Sequence, residues 1–228
     1  MYFKSMEVGS RMINNLVFKF AAMNAGKTMS IIATYYSYKE QGLGDKVLLI
    51  KPGKDSKGNK NIISRNGNTI PVDFLIDEQD NICEKLAYTL VTKDIKCILV
   101  DEAQFLREEH IKQLTDIVDY HNVDVICYGL RADFQGKLFP GSIGLFEYAD
   151  IIEPLDLKAR CKCGCIAIMN TRKVDNEFVF EGEQVAIDGV SNISYESLCR
   201  RCYKEEHKKY LEKQKVKKLV LGEIKNDN

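Results

Sequence analysis

The segment 21–28, Ala-Ala-Met-Asn-Ala-Gly-Lys-Thr, has the residue types and spacing of a loop that binds nucleotide phosphates. In such a loop, backbone N–H groups at a helix start contact phosphate oxygens, Lys27 reaches the outer phosphates and the Thr28 hydroxyl ligates magnesium. The usual G-x-x-x-x-G-K-[ST] pattern has glycine at the position of Ala21, so the first turn must accept a β-carbon. A chance Gly-Lys-Thr in a surface turn is disfavoured, because an apolar run precedes the segment and a helix-like pattern follows it. We predict a nucleoside triphosphate site formed by Ala21, Ala22, Met23, Asn24, Ala25, Gly26, Lys27 and Thr28.

Two carboxylates, Asp101 and Glu102, directly follow the apolar run 97–100. This is the Walker B pattern, in which the first acid orients magnesium and the second projects beyond the strand end toward the phosphoryl acceptor. A carboxylate near an acceptor hydroxyl can take its proton as the new bond forms, so we predict that Glu102 is the general base. Two alternatives stay open: both acids could cap the following turn and helix, or Glu102 could activate water as in an ATPase.

Four cysteines form two close pairs, Cys161 with Cys163 and Cys199 with Cys202. Four thiolates from two knuckles match a tetrahedral zinc site, whose closed coordination shell would make it structural. Cys165 is a competing ligand that could replace either member of the first pair. The other cysteines stand singly in apolar surroundings and are predicted to be buried core residues: Cys83, Cys97 and Cys127.

Predicted strands alternate with predicted helices in the first two thirds of the chain. Strands are expected at 47–50, 97–100 and 123–128, helices at 28–41, 77–93 and 108–120, a loop at 51–67 and a short apolar piece at 72–76. This alternation predicts an α/β fold with a P-loop NTPase-like parallel sheet flanked by helices. Right-handed crossovers would bring the motif-bearing loops to the carboxyl edge of the sheet. There, Leu130 and Phe134 could line a pocket for a planar base, or could simply pack in the core.

The chain divides by composition into four predicted parts. An α/β domain over 14–156 is followed by a small β-rich zinc-ribbon domain over 157–205, where paired cysteines and short alternating runs begin. Residues 206–228 are lysine-rich and predict a solvated helix that fades into a disordered tail. Residues 1–13 show no periodicity and are predicted to be a leader.

The charge balance argues against a polyanionic or membrane partner. The 228 residues are 45% hydrophobic and carry 33 basic and 33 acidic side chains. Zero net charge creates no overall field that would attract nucleic acid. The sequence has no apolar run of about 18 residues and no secretory signal pattern, so a cytoplasmic location is expected.

Five motifs occur in an order that resembles type II thymidine kinases, the compact P-loop kinases with a zinc-bearing lasso domain, and especially their bacterial branch. They are Ala-Met-Asn-Ala-Gly-Lys-Thr at 22–28, Val-Asp-Glu-Ala-Gln-Phe-Leu at 100–106, Cys-Tyr-Gly-Leu-Arg-Ala-Asp-Phe at 127–134, Gly-Glu-Gln-Val at 182–185 and Cys-Arg-Arg-Cys-Tyr-Lys-Glu at 199–205. The resemblance implies transfer of the ATP γ-phosphate to the 5′-hydroxyl of thymidine, and of deoxyuridine, with magnesium. Glu102 matches the general base of the family, and Gln104 falls in its nucleotide-binding segment.

The resemblance also implies a nucleoside pocket that is read largely by main-chain groups of the lasso. By matching position, the residues concerned are Met23, Leu130, Phe134, Gln184, Val185, Ala186, Ile187 and Tyr195. Arg65 is a further candidate for a phosphate contact, and the bacterial Cys-x-Cys variant favours Cys161 and Cys163 over Cys165 as zinc ligands. Asp188 replaces the usual glycine, and 190–194 looks lengthened, so a differently shaped lasso tip is expected. A homotetramer and feedback inhibition by thymidine triphosphate are further expectations.

Two alternative functions would account for some of the same residues. A P-loop ATPase or corrinoid adenosyltransferase would use Lys27, Thr28 and Asp101, but would need neither the Phe134 pocket nor the zinc domain. A zinc-ribbon protein that binds nucleic acid would use Arg200, Arg201 and the lysine-rich tail, and it would bind DNA or RNA with a steep salt dependence.

Overall fold

The computed structural model describes residues 14–53, 60–64, 67–185 and 192–226. The predicted leader, Arg65, Ala186, Ile187 and Asp188 lie outside these ranges. A six-stranded parallel sheet occupies the centre of the α/β domain, which confirms the predicted fold class. Its strands are β1 (Leu16–Ala21), β2 (Val47–Pro52), β5 (Phe74–Ile76), β6 (Cys97–Val100), β7 (Asp124–Leu130) and β8 (Ile151–Pro154), in the spatial order β5-β2-β6-β7-β1-β8. A separate hairpin comprises β3 (Asn61–Ile63) and β4 (Thr69–Pro71).

Helices cover both faces of the sheet because alternate residues of each strand point to opposite sides. On one face, α1 (Lys27–Glu40) packs Ile31 and Ile32 against Leu49 and Leu99. The opposite face packs against three helices, which are α2 (Ile82–Thr92), α3 (Glu108–His121) and α4 (Pro140–Tyr148). Burial on both sides explains why these strands are continuous apolar runs in the sequence. Cys97 and Cys127 are buried in the two cores as predicted, and Cys83 is half-buried against one of them.

Several elements were not predicted from the sequence. The β3–β4 hairpin lies partly within the predicted loop 51–67, and α4 and β8 fall where no element was predicted. Helix α4 contains Gly141 and Gly144, which disfavour helices in isolation. A β-carbon at Gly141 would lie 2.2 Å from the Ala103 carbonyl oxygen, so glycine allows α4 to approach the turn that follows β6. Close packing therefore outweighs the low helix propensity.

The C-terminal lobe, described over residues 157–185 and 192–226, contains a three-stranded antiparallel sheet and ends in a long helix. The sheet has the order β10-β9-β11 and consists of β9 (Met169–Val174), β10 (Glu177–Val179) and β11 (Ile193–Leu198). Helix α5 (Arg200–Asn226) packs Tyr203 and Tyr210 near Phe180 in a small core. It runs without interruption through position 205, where we predicted the boundary between the zinc domain and the tail. None of the described helices combines the length and the apolar character needed to cross a membrane.

Candidate active site

The phosphate loop, residues 21–28, connects β1 to the start of α1. Asn24 and Gly26 have left-handed backbone angles, with φ of 63° and 81°. The positive φ favours glycine at position 26, where a β-carbon would also lie 3.0 Å from the Leu157 side chain. The first turn of α1 contains no acidic residue, so no carboxylate of the helix itself offsets the positive end of its dipole at the loop.

The departure of Ala21 from the usual motif has a simple structural reason. Ala21 is the last residue of β1 and pairs with Leu130, the last residue of β7. It is extended rather than left-handed, and an extended residue accommodates a β-carbon. Alanine at this position is therefore compatible with the loop conformation.

Asp101 and Glu102 lie at the carboxyl edge of the sheet, beside the phosphate loop. The Asp101 N–H donates to the Ile50 carbonyl over 3.0 Å, and its side chain is buried. Glu102 has a left-handed backbone conformation, with φ of 49°, at the start of a single 3₁₀ turn. Its Oε1 lies 3.8 Å from Lys27 Nζ. The structure thus joins the two nucleotide motifs, which are far apart in the sequence, at one charged contact.

Gln104 connects Glu102 to the end of β7. Its Nε2 donates to Glu102 Oε2 over 2.5 Å, and its Oε1 accepts from the Leu130 N–H over 3.0 Å. The Leu130 carbonyl accepts a hydrogen bond from Ser142 Oγ of α4 over 2.6 Å. This chain of hydrogen bonds fixes the Glu102 carboxylate relative to β7, so Gln104 orients the predicted base in this structure.

The residues expected to contact a nucleoside come from two parts of the chain, and we call the site predicted from them the acceptor pocket. Leu130 is the buried last residue of β7, Phe134 is buried in the segment that follows, and Gln184 and Tyr195 belong to the C-terminal lobe. Gln184 Nε2 donates to Asp133 Oδ2 over 3.0 Å, which ties the lobe to the β7–α4 connection. Val185, another residue expected in this pocket, is exposed.

Arg172 contacts three of the residues expected in the acceptor pocket, and the sequence did not indicate it. Its guanidinium donates to the Glu183 and Gln184 carbonyls over 2.8 and 3.0 Å and to the Tyr195 hydroxyl over 3.2 Å. The guanidinium carbon also lies 3.8 Å from the centroid of the Phe134 ring. Arg172 pairs with Tyr195 across β9 and β11. The strand register identifies Arg172 as a neighbour of Tyr195, and this register cannot be predicted from composition.

Four cysteines of the C-terminal lobe form a cluster that fits a zinc ion. The Sγ atoms of Cys161, Cys163, Cys199 and Cys202 all lie within 4.8 Å of one another, and those of Cys163 and Cys199 are 3.6 Å apart. Tetrahedral zinc with Zn–S bonds of about 2.3 Å requires sulfur atoms about 3.8 Å apart, close to this separation. Cys165 is exposed and does not belong to the cluster.

Comparison with known proteins supports one family over most of the chain. The family model "Thymidine kinase" matches residues 14–203. A thymidine kinase of Enterobacteria phage T4 is 43% identical over 197 residues, which covers 86% of this chain and 98% of the phage protein. A thymidine kinase of Shewanella oneidensis is 43% identical, and the match covers 83% of this chain and 96% of the Shewanella protein. A thymidine kinase of Legionella pneumophila strain Paris is 41% identical, and the match covers 83% of this chain and 88% of the Legionella protein. Together with the phosphate loop, the paired acids and the cysteine cluster, these matches show that the chain belongs to the thymidine kinase family.

Proposed function

We propose that this protein transfers the γ-phosphate of ATP to the 5′-hydroxyl of thymidine, giving thymidine monophosphate. The observation that carries the proposal is the position of Glu102, whose carboxylate lies 3.8 Å from the phosphate-loop lysine. A second link, through Gln104, joins the same carboxylate to Leu130 of the acceptor pocket. Glu102 therefore stands between a site for donor phosphates and a site for a nucleoside. Family membership supports this assignment, and deoxyuridine is the expected second acceptor.

The donor side would bind ATP through its phosphates. Backbone N–H groups of residues 21–28 and the Lys27 ammonium would hold the phosphate oxygens. The Thr28 hydroxyl and the Asp101 carboxylate are hard oxygen ligands that suit magnesium. Magnesium, when bound there, would neutralise charge on the phosphates. Lys27 would stabilise the charge that develops on the transferred group.

Glu102 would act as general base on the acceptor side. As the 5′-oxygen bonds to the γ-phosphorus, the bond from that phosphorus to the bridging oxygen of ADP breaks, and the hydroxyl proton moves to a Glu102 oxygen. Gln104 and Lys27 hold the carboxylate in place, so little reorganisation is needed during the reaction.

The nucleoside would occupy the acceptor pocket. Met23, Leu130 and Phe134 would provide apolar and aromatic contacts to the base. Main-chain groups at Gln184 and Val185, continued by Ala186 and Ile187, would supply hydrogen bonds. Tyr195 would close over the nucleoside, and Arg172 would hold the Gln184 carbonyl and the Tyr195 hydroxyl at fixed positions.

Three further features belong to this proposal. Zinc at Cys161, Cys163, Cys199 and Cys202 would be structural, because four thiolates leave no open coordination position. The active protein would be a cytoplasmic homotetramer. Thymidine triphosphate would inhibit it by feedback.

A nucleoside-dependent assay tests the proposal directly. ADP release is measured with ATP and magnesium in the presence of thymidine, deoxyuridine, deoxycytidine or no nucleoside. We expect release with thymidine and deoxyuridine and only background release otherwise. Release that does not depend on a nucleoside would instead indicate an ATPase, and no release would contradict the kinase assignment.

A further inference from the structure

Two side chains of the C-terminal lobe hold the backbone of Met23 in the phosphate loop. The Met23 N–H donates to Asn170 Oδ1 over 2.8 Å, and the Met23 carbonyl accepts from Ser197 Oγ over 2.7 Å. Asn170 and Ser197 are directly paired across β9 and β11, so both side chains leave the sheet on the same face. Together they bind both the backbone N–H and the backbone carbonyl of Met23, much as a neighbouring strand binds both groups of a residue in a sheet.

The surroundings make these hydrogen bonds important for the loop conformation. Asn170 and Ser197 are buried, with 5% and 6% of their residue surfaces exposed, and Met23 is half-buried, so both hydrogen bonds are partly shielded from water. Beside the loop lies a cavity of about 280 Å³ that is lined by Ala22, Ala25 and Leu157 among others. Because of this cavity, side-chain packing does not support the whole of this side of the loop. The hydrogen bonds from Asn170 and Ser197 hold the loop backbone there instead.

Asn170 also contacts the segment that leads to the acceptor pocket. Its Nδ2 donates to the Ala132 carbonyl over 2.7 Å, and Ala132 lies between the pocket residues Leu130 and Phe134. One amide side chain thus joins the phosphate loop, the β7–α4 connection and the C-terminal lobe.

We propose that Asn170 and Ser197 are positioning residues for the phosphate donor, through which the C-terminal lobe sets the conformation of the phosphate loop. The inference rests on the proposed role of residues 21–28 in binding ATP. A phosphate site needs several N–H groups that converge on the same oxygens. A loop released at Met23 samples more conformations, and ordering it again upon binding costs affinity. The lobe that carries the cysteine cluster therefore contributes to donor binding as well as to the acceptor pocket.

Calorimetric titration of the full chain with MgATP, in the absence of nucleoside, tests this inference. We expect Ser197→Ala to raise the Kd for MgATP about 3- to 10-fold, the effect of losing one hydrogen bond, and Asn170→Ala to raise it at least as much. Inorganic tripolyphosphate should show the same fold-change, because the effect concerns phosphate binding alone. Ser197→Thr keeps the hydroxyl group and should bind MgATP like the wild type.

Thr171→Val is the matched control within the same strand. The Thr171 hydroxyl donates to the Glu196 carbonyl inside the lobe over 2.7 Å, so its loss should leave the Kd unchanged. Zinc content and Tm are measured for every variant, and Ser197→Ala decides the outcome if Asn170→Ala does not fold. Wild-type affinity in Ser197→Ala, with wild-type zinc content, would overturn the inference alone. A wild-type protein that binds no MgATP would overturn the proposed function as well.

Discussion

At the scale of single residues, the Glu102 carboxylate has the clearest predicted role. It has a left-handed backbone, an ammonium 3.8 Å away and a hydrogen bond from Gln104, a combination that holds one carboxylate at one place. A left-handed conformation is uncommon for a non-glycine residue and is often found at functional sites.

Glu102→Gln should therefore reduce kcat by about 10²- to 10⁴-fold while leaving the Kd for MgATP within a few-fold of the wild type. The amide has the shape of the carboxylate but cannot accept the hydroxyl proton. The measurement is steady-state ADP release with thymidine, combined with calorimetric titration of MgATP. The exposed Glu108→Gln provides the control. An unchanged kcat would exclude Glu102 as the base.

Arg172 has a different predicted role, because it contacts residues proposed to form the acceptor pocket. We expect Arg172→Lys to raise the KM for thymidine about 10- to 100-fold, with a smaller change in kcat and none in the KM for ATP. Lysine cannot donate to both carbonyls and the hydroxyl while stacking on Phe134.

Lys173→Met is the matched control for this variant, because Lys173 pairs with Glu196 at 2.6 Å and takes no part in the contacts made by Arg172. Its kinetic constants should match those of the wild type. Equal increases in both KM values for Arg172→Lys would indicate a general loss of structure instead of a positioning role.

At the scale of elements, the position of Glu102 depends on how the segment after β6 is held. This segment continues into α3, whose start is fixed by His110. The His110 Nδ1 accepts from the Arg107 N–H over 3.3 Å, and the Nε2 lies 3.1 Å from the Asp80 carbonyl oxygen. These partners require a neutral ring with its proton on Nε2.

His110 therefore makes stability depend on pH. Burial is the main cause that lowers its pKa below the ordinary value of about 6.5; the positive charge of Arg107 acts in the same direction, and Asp80 and Glu109 act against it. Below about pH 6.5 the unfolded chain binds a proton at His110 that the folded chain does not bind. The contribution of His110 to folding stability is therefore fully present above that pH, and it is lost as the pH falls toward the lower pKa of the folded state.

Urea unfolding of the wild type, His110→Asn and His121→Asn at pH 7.5 and 5.5 measures this effect. Between pH 7.5 and pH 5.5, we expect the free energy of unfolding to fall more for the wild type and for His121→Asn than for His110→Asn. His121→Asn is the control because it removes only the exposed histidine at the end of α3. The same loss in all three proteins would show that His110 does not contribute.

At the scale of the whole molecule, a small lobe with its own core completes the site built on the sheet edge. Its cysteine cluster lies at the start of α5 and beside the connection from the α/β domain, so a metal there would join the first residues of the lobe to the start of α5. Structural zinc contributes directly to folding energy in such domains.

We predict that Cys165→Ser retains one zinc ion per chain, whereas Cys163→Ser loses most of its zinc and has a lower Tm. Both cysteines are exposed, and both substitutions are equally conservative, but only Cys163 belongs to the cluster. Zinc is measured by atomic emission on purified protein. The reverse pattern would assign Cys165 as the fourth ligand.

The sequence alone determined the features that depend on local chemistry. Apolar runs predicted β2, β6 and β7, and a helical pattern predicted α1 and α3, because burial on two faces and helical periodicity both appear in neighbouring residues. The phosphate loop was also predictable, since its glycine, lysine and threonine are contiguous in the sequence. The spacing of cysteines indicated a metal cluster for the same reason.

Only the tertiary structure decided the features that depend on distant residues. Helix α4 exists because Gly141 fits closely against the turn after β6, a contact that overrides poor helix propensity. The burial of Arg172 and the pairing of Asn170 with Ser197 depend on the register of β9 and β11, in which a shift of one residue would turn the side chains to the other face. Such positions are set by nonlocal packing, which no short stretch of sequence encodes.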